Sequence, residues 1–216
     1  MIKTVLFDFD GTVANTLPVI FQSFREVFNV HNQVHLSDED IKQYFGPCEK
    51  GIIKRHIDEG VQEEALQLFY NVYEREHDKL AHRNEEMEKI LAYLKTKNMN
   101  IGLITGKARK SLNISLQRLN MTSLFDLTIA GDEVKEYKPH PEGILKAMQF
   151  FHSKPEETIY VGDSNADIAA GLASNITTVG AQWMDNVQQL HFDPSPHYCF
   201  TSLSAFEDYL TTHIAH

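Results

Sequence analysis

Two aspartates separated by one residue follow the first apolar segment of the chain. Asp8 and Asp10 stand in the sequence Asp8-Phe9-Asp10-Gly11-Thr12. A carboxylate can attack phosphorus and form an aspartyl-phosphate. A second carboxylate beside it can give a proton to the leaving oxygen and later take one from water. The pair therefore predicts phosphoryl transfer, with Asp8 as the nucleophile and Asp10 as the general acid and base.

Three further polar segments offer the other groups that this reaction needs. The Thr105 hydroxyl, the Gly106 amide and the Lys138 ammonium could hold the three phosphoryl oxygens as charge redistributes. Asp163 adds a second carboxylate, and Asp8 and Asp163 together offer the hard oxygen ligands that suit Mg2+. Because neighbouring carboxylates repel each other unless a cation lies among them, this set predicts Mg2+ as the cofactor.

The elements that must position these residues are predicted from the spacing of apolar side chains. The predicted strands cover 2–9, 101–104, 127–130, 158–161 and 176–179, and the helices after them cover 87–94, 111–119, 141–151, 167–172 and 204–210. Such alternation indicates an α/β fold with a doubly wound parallel sheet. In such a sheet, ligands bind beyond the carboxyl ends of the strands. The polar segments should therefore meet in one crevice.

Each segment also has an ordinary structural explanation when it is taken alone. Asp8 to Thr12 could form a simple turn, Gly162-Asp163 could cap a helix, and Lys138 could be a solvated lysine. All of them, however, fall at one predicted edge of the sheet. That coincidence favours an active site.

Residues 17–80 have a different sequence pattern, in which apolar residues recur at helical spacing and strand-like runs are few. Ser37 is a candidate N-cap there. We expect a compact all-helical unit inserted after the first strand. The predicted division is a hydrolase core of 1–15 and 84–216 and a helical cap of 16–83.

Charge and cysteine content limit the function classes. The chain of 216 residues carries 30 acidic and 20 basic residues, a formal charge of -10, which argues against nucleic acid or an anionic membrane as a partner. The first apolar run is too short for a signal peptide, and no stretch reaches transmembrane length. Cys48 and Cys199 have no metal-binding spacing and no disulfide framework. We expect a cytoplasmic protein, and the oligomeric state stays open.

Four motifs carry a resemblance that covers essentially the whole chain. They are Asp8-Phe9-Asp10-Gly11-Thr12-Val13, Thr105-Gly106-Lys107, Lys138-Pro139-His140-Pro141 and Gly162-Asp163-Ser164-Asn165-Ala166-Asp167. In this order they resemble the haloacid dehalogenase superfamily of phosphatases. The resemblance implies a Rossmann-like core with a helical cap inserted after the first motif. It also implies Mg2+ bound by the Asp8 carboxylate, the Asp10 main-chain carbonyl and the Asp163 carboxylate, with Asp167 supporting the metal site or Lys138.

Within that superfamily the chain is similar to the phosphoglycolate phosphatase group and to its bacterial pyrophosphatase-like members. Three segments suggest this, namely Ala14-Asn15-Thr16, Phe45-Gly46-Pro47 and Gly180-Ala181-Gln182-Trp183. Asn15 departs from the group, which usually has Asp-Ser where this chain has Asn15-Thr16. In that group an acidic residue stands here, at the hinge between core and cap. Its role must therefore be fulfilled differently in this chain.

Several other functions remain to be weighed. A dehalogenase of the same superfamily needs no proton donor for a leaving oxygen, so Asp10 argues against it. A sugar-phosphate mutase shares all four motifs and would differ by its cap and by slow hydrolysis of the phosphoenzyme. A phosphoaspartate receiver module has a similar acidic pocket but no use for the helical insertion. A catalytically dead scaffold would not be expected to keep every motif residue.

The cap is expected to choose the substrate, because the core motifs hold only the phosphoryl group. The substrate is expected to be a small phosphorylated metabolite, and phosphoglycolate, pyrophosphate, nucleotide monophosphates and sugar phosphates all stay open. The sharpest break between its helices is Phe45-Gly46-Pro47-Cys48-Glu49-Lys50. We expect Gly46, Pro47, Cys48 and Lys50 to line the substrate pocket, with Lys50 or Lys54 as a reader of a second anionic group. An ordinary helix-helix turn is the alternative.

Overall fold

A six-stranded parallel sheet forms the centre of the molecule. The computed structural model describes residues 1–185 and 188–214. The strands are β1 (Thr4–Phe7), β2 (Asn100–Ile104), β3 (Leu127–Ile129), β4 (Thr158–Gly162), β5 (Thr177–Ala181) and β6 (Tyr198–Phe200). Their order in the sheet is β3-β2-β1-β4-β5-β6, and all neighbours are parallel. The predicted α/β fold class is thereby confirmed.

Helices occupy most of the connections between the strands. They are α1 (Leu17–Asn32), α2 (Asp38–Lys42), α3 (Glu49–His56), α4 (Gln62–Leu80), α5 (Glu85–Thr96), α6 (Arg109–Arg118), α7 (Glu142–Phe151), α8 (Asn165–Ala173) and α9 (Leu203–His213). Ser37 caps α2 in a capping box with Asp40, as its position before an apolar run predicts. No helix in the described residues is long and apolar enough to cross a membrane.

The sheet is buried on both faces. In β1, Val5 and Phe7 point into a cluster with α5, α6 and α9, while Leu6 points into a cluster with α7 and α8. This alternation follows from the two-residue period of a strand. The polar side chains of this segment are therefore confined to its two ends, at Thr4 and at Asp8, which directly follows the strand.

Helices α1 to α4 lie between β1 and β2 in the chain and have a hydrophobic cluster of their own. Its members include Leu17, Phe24, Ile53, Phe69 and Tyr73, and none of them belongs to either cluster of the sheet. This separation supports the proposed division into a core of 1–15 and 84–216 and a cap of 16–83.

The sequence analysis did not predict β6. This strand has three residues, Tyr198, Cys199 and Phe200, and pairs with β5 at the edge of the sheet. Three residues are too few to show a period in the sequence. The pairing depends instead on the exposed edge of β5, which only the folded sheet presents.

Candidate active site

The strand order reverses between β1 and β4, and two aspartates follow these strands. Asp8 comes after β1 and Asp163 after β4, and both are buried. Gly11 packs against Asp163 with a φ of 81°, and a Cβ atom there would lie 2.2 Å from Asp163 Oδ2. A glycine is therefore required for the close approach of the first turn to Asp163. This topological switch point is where a doubly wound sheet binds its ligands.

Asp8, Asp163 and Asp167 form a buried acidic cluster. One carboxylate oxygen from each lies within 4.8 Å of the others. Burial raises the pKa of Asp8 to about 7, with Lys138 acting in the opposite direction. Burial, and then the charges of Asp8 and Asp167, hold the pKa of Asp163 well above its usual range. The cluster is short of positive charge, and its hard oxygen donors fit Mg2+.

Lys138 is the cation that pairs with two members of this cluster. Its Nζ atom donates to Asp8 Oδ1 at 2.6 Å and to Asp167 Oδ1 at 2.6 Å. Asp167 is held in turn by the Tyr160 hydroxyl at 2.9 Å and, through its other oxygen, by Ser164. Both oxygens of Asp167 are therefore engaged. This supports a role for Asp167 in orienting Lys138.

Asp10 faces a second buried lysine. Lys107 Nζ donates to Asp10 Oδ1 at 3.1 Å, and the Thr16 hydroxyl donates to the same oxygen. Lys107 also lies over the Tyr73 ring of α4, with Nζ 4.5 Å from the ring centroid. Lys107 thus links Asp10, the predicted general acid and base, to the helical insertion.

The predicted phosphoryl-binding residues after β2 lie beside this pair. Thr105 is buried, and its hydroxyl accepts a hydrogen bond from the Lys107 amide at 3.2 Å. Gly106 lines the same cavity as Asp8, Asp10 and Lys138. The structure therefore brings the residues of all four motifs to one place.

A cavity of about 310 Å3 opens above these residues. The core side of its wall comes from the motif residues and from Gln188 and Gln189, and Gln188 donates to Asp163 Oδ2 at 2.9 Å. The other side comes from α1, the segment 45–49, Ile52 and Phe69. The helical insertion therefore closes over the active edge of the sheet.

Part of the predicted cap loop lines this cavity and part does not. Gly46, Pro47 and Cys48 are among the lining residues. Lys50 points away and forms an ion pair with Asp132 of the core at 2.6 Å, while Lys54 is exposed on α3. Neither Lys50 nor Lys54 is placed to read a second anionic group in this arrangement.

Four residues with clear contacts in the site were given no role in the sequence analysis. They are Lys107, Glu49, Tyr160 and Gln188. Lys107 directly follows Thr105-Gly106, and this position could have suggested a role. Glu49, Tyr160 and Gln188 each have a partner far away in the chain, namely Ala108, Ile104 and Asp163, so their sequence neighbours give no signal of these contacts.

Comparisons with known proteins agree with this geometry. Residues 5–181 match the model of the haloacid dehalogenase-like hydrolase family. The chain is 34% identical to the pyrophosphatase PpaX of Bacillus mycoides (strain KBAB4) over 182 residues, which is 84% of each protein.

Two solved structures show the same fold. A predicted phosphoglycolate phosphatase from Haemophilus somnus 129pt has a TM-score of 0.86 at 21% identity, covering 96% of this chain and 97% of its own. A β-phosphoglucomutase from Clostridium difficile has a TM-score of 0.83 at 19% identity, covering 98% and 96%. The family match and the PpaX relative together confirm the prediction of an enzyme of this superfamily. The chain belongs to the haloacid dehalogenase-like hydrolases.

Proposed function

We propose that the protein is a Mg2+-dependent phosphatase that hydrolyses a small phosphorylated metabolite through an aspartyl-phosphate on Asp8. The observation that carries this proposal is that Asp8 and Asp163 lie close together and buried at the switch point of the sheet, with Lys138 donating to Asp8. We also propose that the protein is cytoplasmic, as its cysteine pattern predicts.

The chemistry follows from the positions of these groups. An oxygen of Asp8 attacks phosphorus, the bond from phosphorus to the leaving oxygen breaks, and Asp10 gives that oxygen a proton. In the second step Asp10 takes a proton from water, whose oxygen attacks phosphorus, and phosphate leaves as the Asp8 carboxylate is restored. Lys138 holds a phosphoryl oxygen and balances the charge of Asp8.

Asp8 and Asp163 would hold Mg2+, with the Asp10 main-chain carbonyl as the third protein ligand implied by the family. Bound there, Mg2+ supplies positive charge that lets an anionic nucleophile approach an anionic phosphoryl group. Asp167 would keep Lys138 in place through its contact at 2.6 Å.

Pyrophosphate is a second candidate substrate, since the relatives named pyrophosphatase PpaX are up to 34% identical to this chain. A mutase is a third candidate, but the phosphoglucomutase neighbour at 19% identity supports the fold alone. A hydrolase releases inorganic phosphate in step with substrate loss, whereas a mutase forms an isomer of its substrate. Measurement of phosphate release therefore separates these candidates.

The test of the proposal is phosphate release from a panel of phosphate esters and pyrophosphate, with Mg2+ and with excess chelator. We expect turnover only with Mg2+. Asp8→Asn should lower kcat by about 10^4 or more, because it removes the nucleophile. Asp58→Asn is a matched control, since Asp58 is exposed and lies outside the cavity lining. Near-normal activity of Asp8→Asn would show that the covalent mechanism is wrong.

A further inference from the structure

The wall of the cavity that faces away from the sheet is mostly apolar, with Lys42 and Glu49 as its charged members. Its apolar members are Leu17, Ile20, Phe24, Phe45, Ile52 and Phe69. All of these residues belong to the helical insertion, and they stand opposite Asp8 and Asp10. With the phosphoryl group held by the carboxylates and Lys138, as proposed above, the rest of the substrate would face this wall.

The cations around the cavity already have anionic partners. Among the described residues that line it, the basic side chains are Lys42, Lys107 and Lys138. Lys138 is paired with Asp8 and Asp167, and Lys107 with Asp10. Lys42 is paired with Glu39 at 2.7 Å. In the described part of the lining, every cation therefore already has an anionic partner and none is left unpaired for a second anionic group.

Glu49 adds negative charge to the same lining. This buried carboxylate accepts hydrogen bonds from the Ala108 amide at 2.9 Å and from the Ser111 hydroxyl at 2.6 Å. It is thereby fixed at the side of the cavity. A second phosphoryl or carboxylate group of a substrate would have to lose water beside this charge and the apolar wall, which is unfavourable.

The size of the cavity suits an organic group. An apolar cavity of about 150 Å3 is enough to hold a benzene ring. The volume of about 310 Å3 therefore leaves room for such a group and a phosphoryl group together. Burial of apolar surface against the wall would favour this substrate.

We propose that the substrate is a phosphate monoester whose alcohol carries an apolar group about the size of an aromatic ring, and that pyrophosphate and phosphoglycolate are poor substrates. This proposal rests on the phosphatase function proposed above. It differs from the activity in the name of the PpaX relatives, and it replaces the expectation that Lys50 or Lys54 reads a second anion.

The first experiment compares kcat/KM for four substrates with Mg2+, namely 2-phenylethyl phosphate, 2-hydroxyethyl phosphate, phosphoglycolate and pyrophosphate. The first two both release a primary alcohol, so the comparison exchanges a hydroxyl for an apolar ring with little change in the leaving oxygen. We expect 2-phenylethyl phosphate to exceed each of the others by about tenfold or more. Equal values, or a preference for phosphoglycolate or pyrophosphate, would overturn this proposal and leave the phosphatase function standing. If none of the four is hydrolysed while another phosphate ester of the panel is, this proposal is wrong; if no ester of the panel is hydrolysed, the phosphatase function is contradicted.

The second experiment changes the wall itself. Phe45 is half-buried and stacks on Phe21 with ring centroids 6.0 Å apart. Phe45→Ser should lower kcat/KM for 2-phenylethyl phosphate by about fivefold or more relative to 2-hydroxyethyl phosphate. Phe45→Leu keeps an apolar side chain and should preserve most of the preference. An equal fall for both substrates in Phe45→Ser would contradict the proposed contact. The ratio of two substrates does not depend on the fraction of folded enzyme.

The third experiment tests whether Lys42 binds a second anionic group of the substrate. Its ion pair with Glu39 is exposed to solvent, and such pairs are weak. In Lys42→Met we expect kcat/KM for pyrophosphate and for 2-phenylethyl phosphate to change by the same factor. A selective collapse of pyrophosphate hydrolysis would show that Lys42 binds a second anion and would overturn the proposal.

Discussion

Asp10 and Lys107 form an ion pair at the point where the two halves of the cavity meet. Lys107 is buried, and Tyr73 and Thr16 surround the pair. Burial alone would lower the pKa of Lys107, but the charge of Asp10 and the contact with Tyr73 more than offset it and raise the pKa above its ordinary value. Lys107 is therefore charged at neutral pH and acts on the residue that is proposed to move the proton.

The first prediction concerns the proton that Asp10 gives to the leaving oxygen. Asp10→Asn cannot donate it, so we expect kcat for an alkyl phosphate to fall by about 10^2 to 10^4. An aryl phosphate should lose much less, because its leaving oxygen is less basic. Steady-state kinetics with the two substrates measure the difference. Equal losses would mean that Asp10 does not protonate the leaving group.

The second prediction concerns His77 of α4, whose ring is buried and accepts from or donates to the Ser115 hydroxyl at 3.0 Å. Burial lowers the pKa of His77 to about 4, and the charge of Lys107 acts in the same direction. Between pH 6.5 and pH 4 the unfolded chain therefore holds a proton on this ring that the folded chain does not hold. Stability must fall as the pH decreases through this window.

We expect His77 to contribute about 2 kcal/mol to the loss of unfolding free energy between pH 7 and pH 5. His77→Gln keeps a polar partner for Ser115 and has no titratable ring. Urea denaturation of both proteins at the two pH values measures the contribution, since the carboxylates titrate equally in each. If the variant loses as much stability as the wild type, His77 is not the source.

At the scale of the elements, α3 of the insertion contacts α6 of the sheet domain through one side chain. Glu49, in the first turn of α3, accepts hydrogen bonds from Ala108, the N-cap of α6, and from Ser111 in its first turn. The N-terminus of a helix has unpaired amides and a partial positive charge, and a carboxylate satisfies both. The insertion is thereby fastened next to the Thr105-Gly106 segment.

The third prediction tests this contact. Glu49→Ala leaves the Ala108 amide and Ser111 with fewer partners, so we expect a loss of about 1–3 kcal/mol of unfolding free energy. Glu49→Gln keeps an acceptor oxygen and should lose less. Lys50→Met removes only an exposed ion pair and should cost less than about 1 kcal/mol. Denaturant unfolding measures all three, and a larger effect of Lys50→Met than of Glu49→Ala would contradict the assignment.

At the scale of the whole molecule, the buried acidic cluster joins two distant segments of the chain. Asp8 directly follows the first strand and Asp163 the fourth, and Lys138 is the cation that pairs with Asp8. A divalent cation between the two carboxylates would bind the folded chain and not the unfolded one. Mg2+ should therefore stabilise the fold by mass action.

The fourth prediction follows from this linkage. We expect the Tm of the wild type to rise with Mg2+ concentration and to saturate, while Asp163→Asn should show a much smaller rise. Ca2+ should raise the Tm as well but support little turnover, because its larger and looser coordination misplaces the nucleophile. Differential scanning fluorimetry and phosphate release measure the two effects. Equal Mg2+ shifts in both proteins would place the ion elsewhere.

The fold and the catalytic motifs could be predicted from the sequence because their signals are local. The run of apolar residues before Asp8 and the period of the helices are properties of short segments, and the parallel sheet then brings the strand ends together. Asp8, Asp10, Gly106, Lys138 and Asp167 were accordingly expected in one crevice, and the structure places them around one cavity.

The partners of the lysines were decided by the tertiary structure alone. A lysine has a long and flexible side chain, so its position in the sequence does not determine which of several carboxylates it reaches. The sequence predicts Lys50 in the pocket, but its side chain forms an ion pair with Asp132. Lys107 has no predicted role, but it pairs with Asp10. The apolar wall of the cavity likewise arises only when α1, α3 and α4 pack together. The chemistry is therefore readable in the sequence, whereas the charge and polarity around the substrate depend on contacts between distant segments.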